Sequence, residues 1–157
     1  MKYDFLDKFF HLTYIVPPIP SRLYLVDPND IKKLGSDWEG DNPVYSTYRV
    51  SDELQTWVQS FFKLPIIVNY QIINGQIPIH KDIGRTKCWN YLIDVGGPNV
   101  ATQWWNDDET EVIRSVVFRG HCWYSLNVGI KHNVTNVEGN RIAITVWQDP
   151  VDGSIEL

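Results

Sequence analysis

Residues 66–82 read Ile66-Ile67-Val68-Asn69-Tyr70-Gln71-Ile72-Ile73-Asn74-Gly75-Gln76-Ile77-Pro78-Ile79-His80-Lys81-Asp82. Ile, Val and Tyr dominate the first eight positions, and Asn74-Gly75 separates them from a second apolar run. Such residues pack well on a pleated surface, whereas Asn and Gly punctuate it. The same alternation of short apolar runs and turn formers continues to residue 148. It marks eight segments: Ile66–Ile73, Gln76–Asp82, Thr86–Val95, Val100–Trp105, Thr110–Phe118, Cys122–Val128, Lys131–Val137 and Arg141–Gln148. Eight short strands with frequent turns predict a mainly β domain, an all-β sandwich or jelly roll.

Upstream, the pattern is helical or irregular. Ser51-Asp52-Glu53-Leu54 is a helix start, with Ser at the cap and acids in the first turn. Leu54, Trp57, Val58, Phe61 and Phe62 then recur at helical spacing, which predicts an amphipathic helix over 52–63, ended by Pro65. Residues 1–12 predict a further short amphipathic helix. Pro17-Pro18-Ile19-Pro20 forces an extended arm. Asp30–Leu34 predicts a brief helix stopped by Gly35, and residues 36–48 a long loop or edge structure. One domain over 1–157 follows, with a cap over 1–65 and a β core over 66–148.

Composition narrows the function. With 43% hydrophobic and 21% charged residues the chain is globular, not disordered or collagen-like. A net charge of −5 makes a nucleic-acid partner unfavourable, because phosphate binding needs a basic face. No apolar run approaches the roughly 18 residues of a membrane helix, and the N-terminus lacks a signal-peptide stretch. A soluble, cytoplasmic protein without a membrane partner is expected. Cys88 and Cys122 make no disulfide framework and read as buried thiols. Seven Trp suit a β-rich core, a lined pocket, or both.

The chain holds four histidines. His80 and Asp82 stand at i and i+2 at the end of a strand, a spacing that puts both on one face. His132 precedes a Gly139-Asn140 turn, and Arg141 opens the apolar strand that follows. A hairpin would bring His132 and Arg141 together. An Arg inside an apolar strand is costly to bury without an anion, and its planar fork suits a carboxylate. Two His and one carboxylate on one face of an octahedron leave three positions open, the arrangement of non-haem Fe(II) sites. His11 and His121 read as structural and exposed, respectively. Arg85 reads as surface cover or as a substrate contact. Trp104 and Trp105 must face opposite sides of their strand, one into the core and the other available to a cleft.

In this order, His80-Lys81-Asp82, His132 and Arg141 resemble the Fe(II)/2-oxoglutarate-dependent oxygenases. The stretch from Tyr70 to His80 is similar to that family's approach to its first metal ligands. Gly84–Tyr91 is similar to short members related to prolyl and aspartyl/asparaginyl hydroxylases, often carried by viruses of bacteria. The resemblance covers about residues 66–148 and implies a double-stranded β-helix with Fe(II) held by His80, Asp82 and His132. It further implies that Arg141 pairs with the far carboxylate of 2-oxoglutarate, and that Tyr70 and Asn90 contact the cosubstrate. The implied activity is hydroxylation of a protein or peptide side chain or a small molecule, in the host cytoplasm if the protein is viral. The oligomeric state is not readable. Two alternatives remain open: a catalytically silent jelly-roll module that binds a metal or serves as structure, and a cupin-type metalloenzyme that does not use 2-oxoglutarate.

Overall fold

The computed structural model describes residues 7–39 and 44–148. The described chain runs through β1 (Phe10–Thr13), α1 (Pro28–Lys32), β2 (Ser36–Glu39), β3 (Tyr45–Arg49) and α2 (Asp52–Gln59). It continues through β4 (Ile66–Ile73), β5 (Ile77–His80), β6 (Lys87–Asp94), β7 (Ala101–Trp105), β8 (Val112–Val116), β9 (Trp123–Asn127), β10 (His132–Thr135) and β11 (Arg141–Gln148). All eight strand segments read from residue 66 onward are present. A seven-stranded sheet has the order β1-β9-β6-β11-β4-β3-β2, and a four-stranded sheet the order β5-β10-β7-β8. Two antiparallel sheets packed face to face make a jelly roll. No helix among the described residues is long and apolar enough to cross a membrane.

Strand β11 shows how the layers are built. Ile142, Ile144 and Val146 join one buried cluster with Val16, Ile31, Leu54 and Val58 of the N-terminal cap. Ala143, on the opposite face, joins a second cluster with Leu92, Leu126 and Trp104 between the sheets. The large sheet is therefore covered on both faces, and odd-numbered positions of β11 point inward. The same phase runs through β4, where Ala143 pairs with Gln71 and Thr145 with Asn69.

Helix α2 begins as its sequence dictates, with the Leu54 N–H donating to Ser51 Oγ at 3.2 Å. Leu54 and Val58 are its fully buried residues, both 0% exposed, while Trp57 sits at the edge against Phe61, ring centroids 4.8 Å apart. The helix ends at Gln59 rather than near residue 63. There the Gln59 side chain accepts from the Ile66 N–H at 3.0 Å and donates to the Leu64 carbonyl at 2.9 Å, tying the helix end to β4.

Two expectations for the cap are corrected, while residues 36–48 supply the edge structure that was one of their two readings. The segment 10–13 is a strand, not part of a helix, because it pairs along β9 from Phe10↔Leu126 to Thr13↔Trp123; residues 1–6 of that expected helix lie outside the described residues. Residues 36–48 contribute two paired strands that extend the large sheet past β4. The short helix starts at Pro28, where the Asp27 carboxylate accepts from the Asn29 N–H at 2.8 Å.

Candidate metal centre

His80 and His132 are direct partners in the β5–β10 ladder, with ring centroids 4.4 Å apart. Asp82 is not on the strand. It follows β5 in a loop, placed by its own N–H donating to the Val128 carbonyl at 3.0 Å. Its Oδ1 lies 3.5 Å from His80 Nε2 and 3.6 Å from His132 Nε2. One donor atom from each of the three residues lies within 4.8 Å of the others.

Both imidazoles are oriented by backbone. His80 Nδ1 is 2.8 Å from the Pro78 carbonyl, and His132 Nδ1 is 2.7 Å from the Ile130 carbonyl. A carbonyl only accepts, so each Nδ1 carries the proton and each Nε2 presents its lone pair to the shared point, as metal-ligating His requires. Bonds of about 2.0–2.2 Å at roughly right angles would set neighbouring donors about 3 Å apart. The two carboxylate–imidazole separations thus fit a divalent ion after closing by about half an ångström. The Asp82 hydrogen bond raises the His80 pKa. Burial lowers that of His132. Burial pushes the Asp82 carboxyl up, but His80, His132 and Arg85 together overrule it and leave it lowered. A carboxylate that stays ionised beside two imidazoles is a ready cation ligand.

Two chambers meet at this point. An outer cleft of about 690 Å³ is lined by Trp38, Tyr45, Ile67, Pro78, Arg85 and Trp147 among others, with His80 and Asp82 at its end. An inner chamber of about 80 Å³ lies between the sheets, lined by His132, Tyr45, Gln71, Asn90, Thr102 and Arg141 among others. Arg141 is 4% exposed, and its two terminal nitrogens sit 3.3 and 3.4 Å from Thr102 Oγ1. Burial alone pushes its pKa down to about 10; no carboxylate among the described residues offsets it.

The structure therefore brings His80, Asp82, His132, Arg141 and Asn90 together. The route differs from the expected hairpin: β10 and β11 lie in different sheets, and His132 and Arg141 approach across the interior. Asn90 faces inward beside Cys88, whose thiol donates to Asn90 Oδ1 at 3.2 Å and is pushed up to about 12 by burial. Tyr70 is the exception. It packs in the cap-side cluster, and its hydroxyl accepts from the Leu25 N–H at 2.7 Å on the far face of the sheet. An even-numbered position of β4 cannot reach the inner chamber. Tyr45 stands there instead, its hydroxyl accepting from Gln71 Nε2 at 3.3 Å. Trp104 lines the inner chamber, whereas Trp105 faces outward and donates to Asn133 Oδ1 at 2.8 Å, away from both chambers. Cys88 and Cys122 are both free thiols; Cys88 is buried as expected, whereas Cys122 is only partly buried, and His121 is exposed.

Tyr45, Gln71 and Thr102 were not marked by the sequence reading. Gln71 and Asn69 carry a signal, since both are polar at alternate positions of an apolar strand. Thr102 carries none.

No protein-family model and no curated protein matches the chain. Among solved structures, the chain is similar to procruciferin, an 11S globulin from Brassica napus (TM-score 0.44, 10% identity, 76% of this chain and 27% of that one). It is also similar to vicilin from Corylus avellana (hazelnut; TM-score 0.49, 10% identity, 76% and 32%). A third is the formate complex of Lactobacillus farciminis oxalate decarboxylase (TM-score 0.49, 14% identity, 89% and 41%). The chain thus spans 27–41% of the length of these proteins.

Proposed function

We propose that the protein is an oxygenase that uses Fe(II), held by His80, Asp82 and His132, together with 2-oxoglutarate. The observation that supports this reading is Arg141. A guanidinium inside an apolar strand, facing a chamber that opens on a His-Asp-His cluster and with no carboxylate partner among the described residues, calls for an anionic ligand. The far carboxylate of a keto diacid supplies one, through charge-assisted hydrogen bonds to Arg141 with Thr102 alongside. Asn90, Gln71 and the Tyr45 hydroxyl line the same chamber and offer neutral hydrogen bonds to the rest of the molecule. When bound, Fe(II) supplies O₂ activation, coupled to conversion of 2-oxoglutarate to succinate and CO₂. The protein's part is geometry: two backbone-locked imidazoles, an ionised Asp82, and an inner chamber between the sheets that meets the outer cleft at these ligands. The substrate, a protein or peptide side chain or a small molecule, would enter by the outer cleft, whose Trp38, Ile67 and Trp147 suit an apolar group.

The direct test is iron-dependent formation of succinate from 2-oxoglutarate in air. Wild type should turn over slowly even without its substrate, and His132→Ala should not. An iron-loaded wild type that forms no succinate would overturn the reading.

A second reading is favoured by the small volume of the inner chamber, about 80 Å³. It is a cupin-type metalloenzyme in which Arg141 holds an anion smaller than 2-oxoglutarate. Fe(II) binding without 2-oxoglutarate binding would select it.

A further inference from the structure

Asp82 has two oxygens, and the structure divides them. Oδ1 faces the two imidazoles. Oδ2 faces Arg85, whose Nε lies 3.4 Å away. The Arg85 guanidinium is stacked over the Trp147 ring, 4.3 Å from its centroid, so the cation is fixed from behind by a side chain of β11. Its Nε is buried and forms no hydrogen bond. A buried donor left in this state is costly, and an acceptor within a few tenths of an ångström of bonding range relieves it once it turns.

We infer that Arg85 is the positioning residue of the metal centre: stacked on Trp147, it holds Asp82 Oδ2 and leaves Oδ1 as a single-oxygen ligand. The inference rests on His80, Asp82 and His132 forming a metal site and is independent of 2-oxoglutarate. It also gives the outer cleft a physical link to the metal, because Arg85 and Trp147 both line that cleft. Two effects oppose each other here. A nearby cation repels a metal ion, whereas a fixed carboxylate binds it better than a loose one. Outer-shell partners of metal ligands typically contribute about 10–100-fold in affinity, so positioning should win.

Co(II) is the probe, because its d–d absorption reports coordination as well as affinity. Arg85→Gln should weaken Co(II) binding by about 10–100-fold. It should also change the band, as the released carboxylate becomes free to bind through both oxygens. Arg85→Lys keeps the charge but loses the stack and the fork. It should restore affinity only in part and show the same altered band. It carries the test alone if Arg85→Gln does not fold. Trp147→Leu should act in the same direction with a smaller effect, and should add nothing in the Arg85→Gln background. Unchanged or tighter Co(II) binding with the wild-type band in Arg85→Gln and Arg85→Lys would overturn the inference and leave the metal centre standing. A wild type that binds no Co(II) would overturn both.

Discussion

His80 and His132 face each other as register partners of β5 and β10, and each gives its Nδ1 proton to the carbonyl two residues before it. The ring orientation is thus set by strand geometry before any ion arrives. Replacing His132 with Ala should leave the circular dichroism spectrum intact and weaken Co(II) binding by at least about 100-fold, more than loss of an outer-shell partner costs. Isothermal titration checks it; retained affinity would remove His132 from the site.

The pH dependence of the N-terminal strand follows from Asp7. Its carboxylate accepts from Arg114 Nε at 2.7 Å and from the Phe9 N–H at 2.8 Å. Burial pushes its pKa up, but the Arg114 bond and charge with the backbone bonds outweigh this and lower it below 3.8. A depressed carboxyl pKa gives stability that is present above 3.8 and lost as pH falls through the folded value. Both partners are partly exposed, so the effect is small. Hydrogen exchange of Phe10–Thr13, relative to its intrinsic rate at each pH, should rise in wild type only as pH falls below 3.8 toward the lowered folded value. In Asp7→Asn it should already be raised at neutral pH.

Helix α2 packs on the large sheet, and its residues line neither chamber. Leu54→Ala should cost about 2–5 kcal/mol, since the side chain is fully buried. Trp57→Ala should cost less than the 3–5 kcal/mol or so of a fully buried aromatic, because the ring lies at the edge. Urea unfolding measures both, and Co(II) affinity of the folded protein should be unchanged in each.

Gly96 guards the start of β11. It has φ +87°, and a Cβ added there would lie 3.0 Å from Arg141 Cβ and 3.1 Å from its backbone. Gly96→Ala should therefore destabilise the fold by about 1–3 kcal/mol and shift Arg141. Its unfolding midpoint should fall; an unchanged midpoint would show that the turn can relax.

Much of this was legible in the residues. The strands from Ile66 onward follow β-branched runs whose bounds are set by Gly, Asn and Pro, and both sheets cover them. Strand β1 was not legible, because Phe9, Phe10 and Leu12 suit a helix face as well as a strand; only pairing with β9 decides. His80, His132 and Arg141 were legible as polar residues at the ends of apolar strands and Asp82 by its spacing from His80, and the structure brings the four together. Tyr70 was misplaced by one residue of phase. Asn69 and Gln71 share the inward face, so Tyr70 between them had to point to the cap. Tyr45 and Thr102 come from distant segments, and only the fold brings them to Arg141.

The central claim is that Arg141 makes the inner chamber a keto-diacid site beside the metal. Leu suits the apolar strand, so Arg141→Leu should fold and bind Co(II) as wild type does. Titrating 2-oxoglutarate anaerobically into the two Co(II)-loaded proteins tests the claim most directly. Wild type should bind, and Arg141→Leu should bind more weakly by about 2–5 kcal/mol, the cost of losing a desolvated charge pair. Equal affinity in the two proteins, or no binding by wild type, would contradict it.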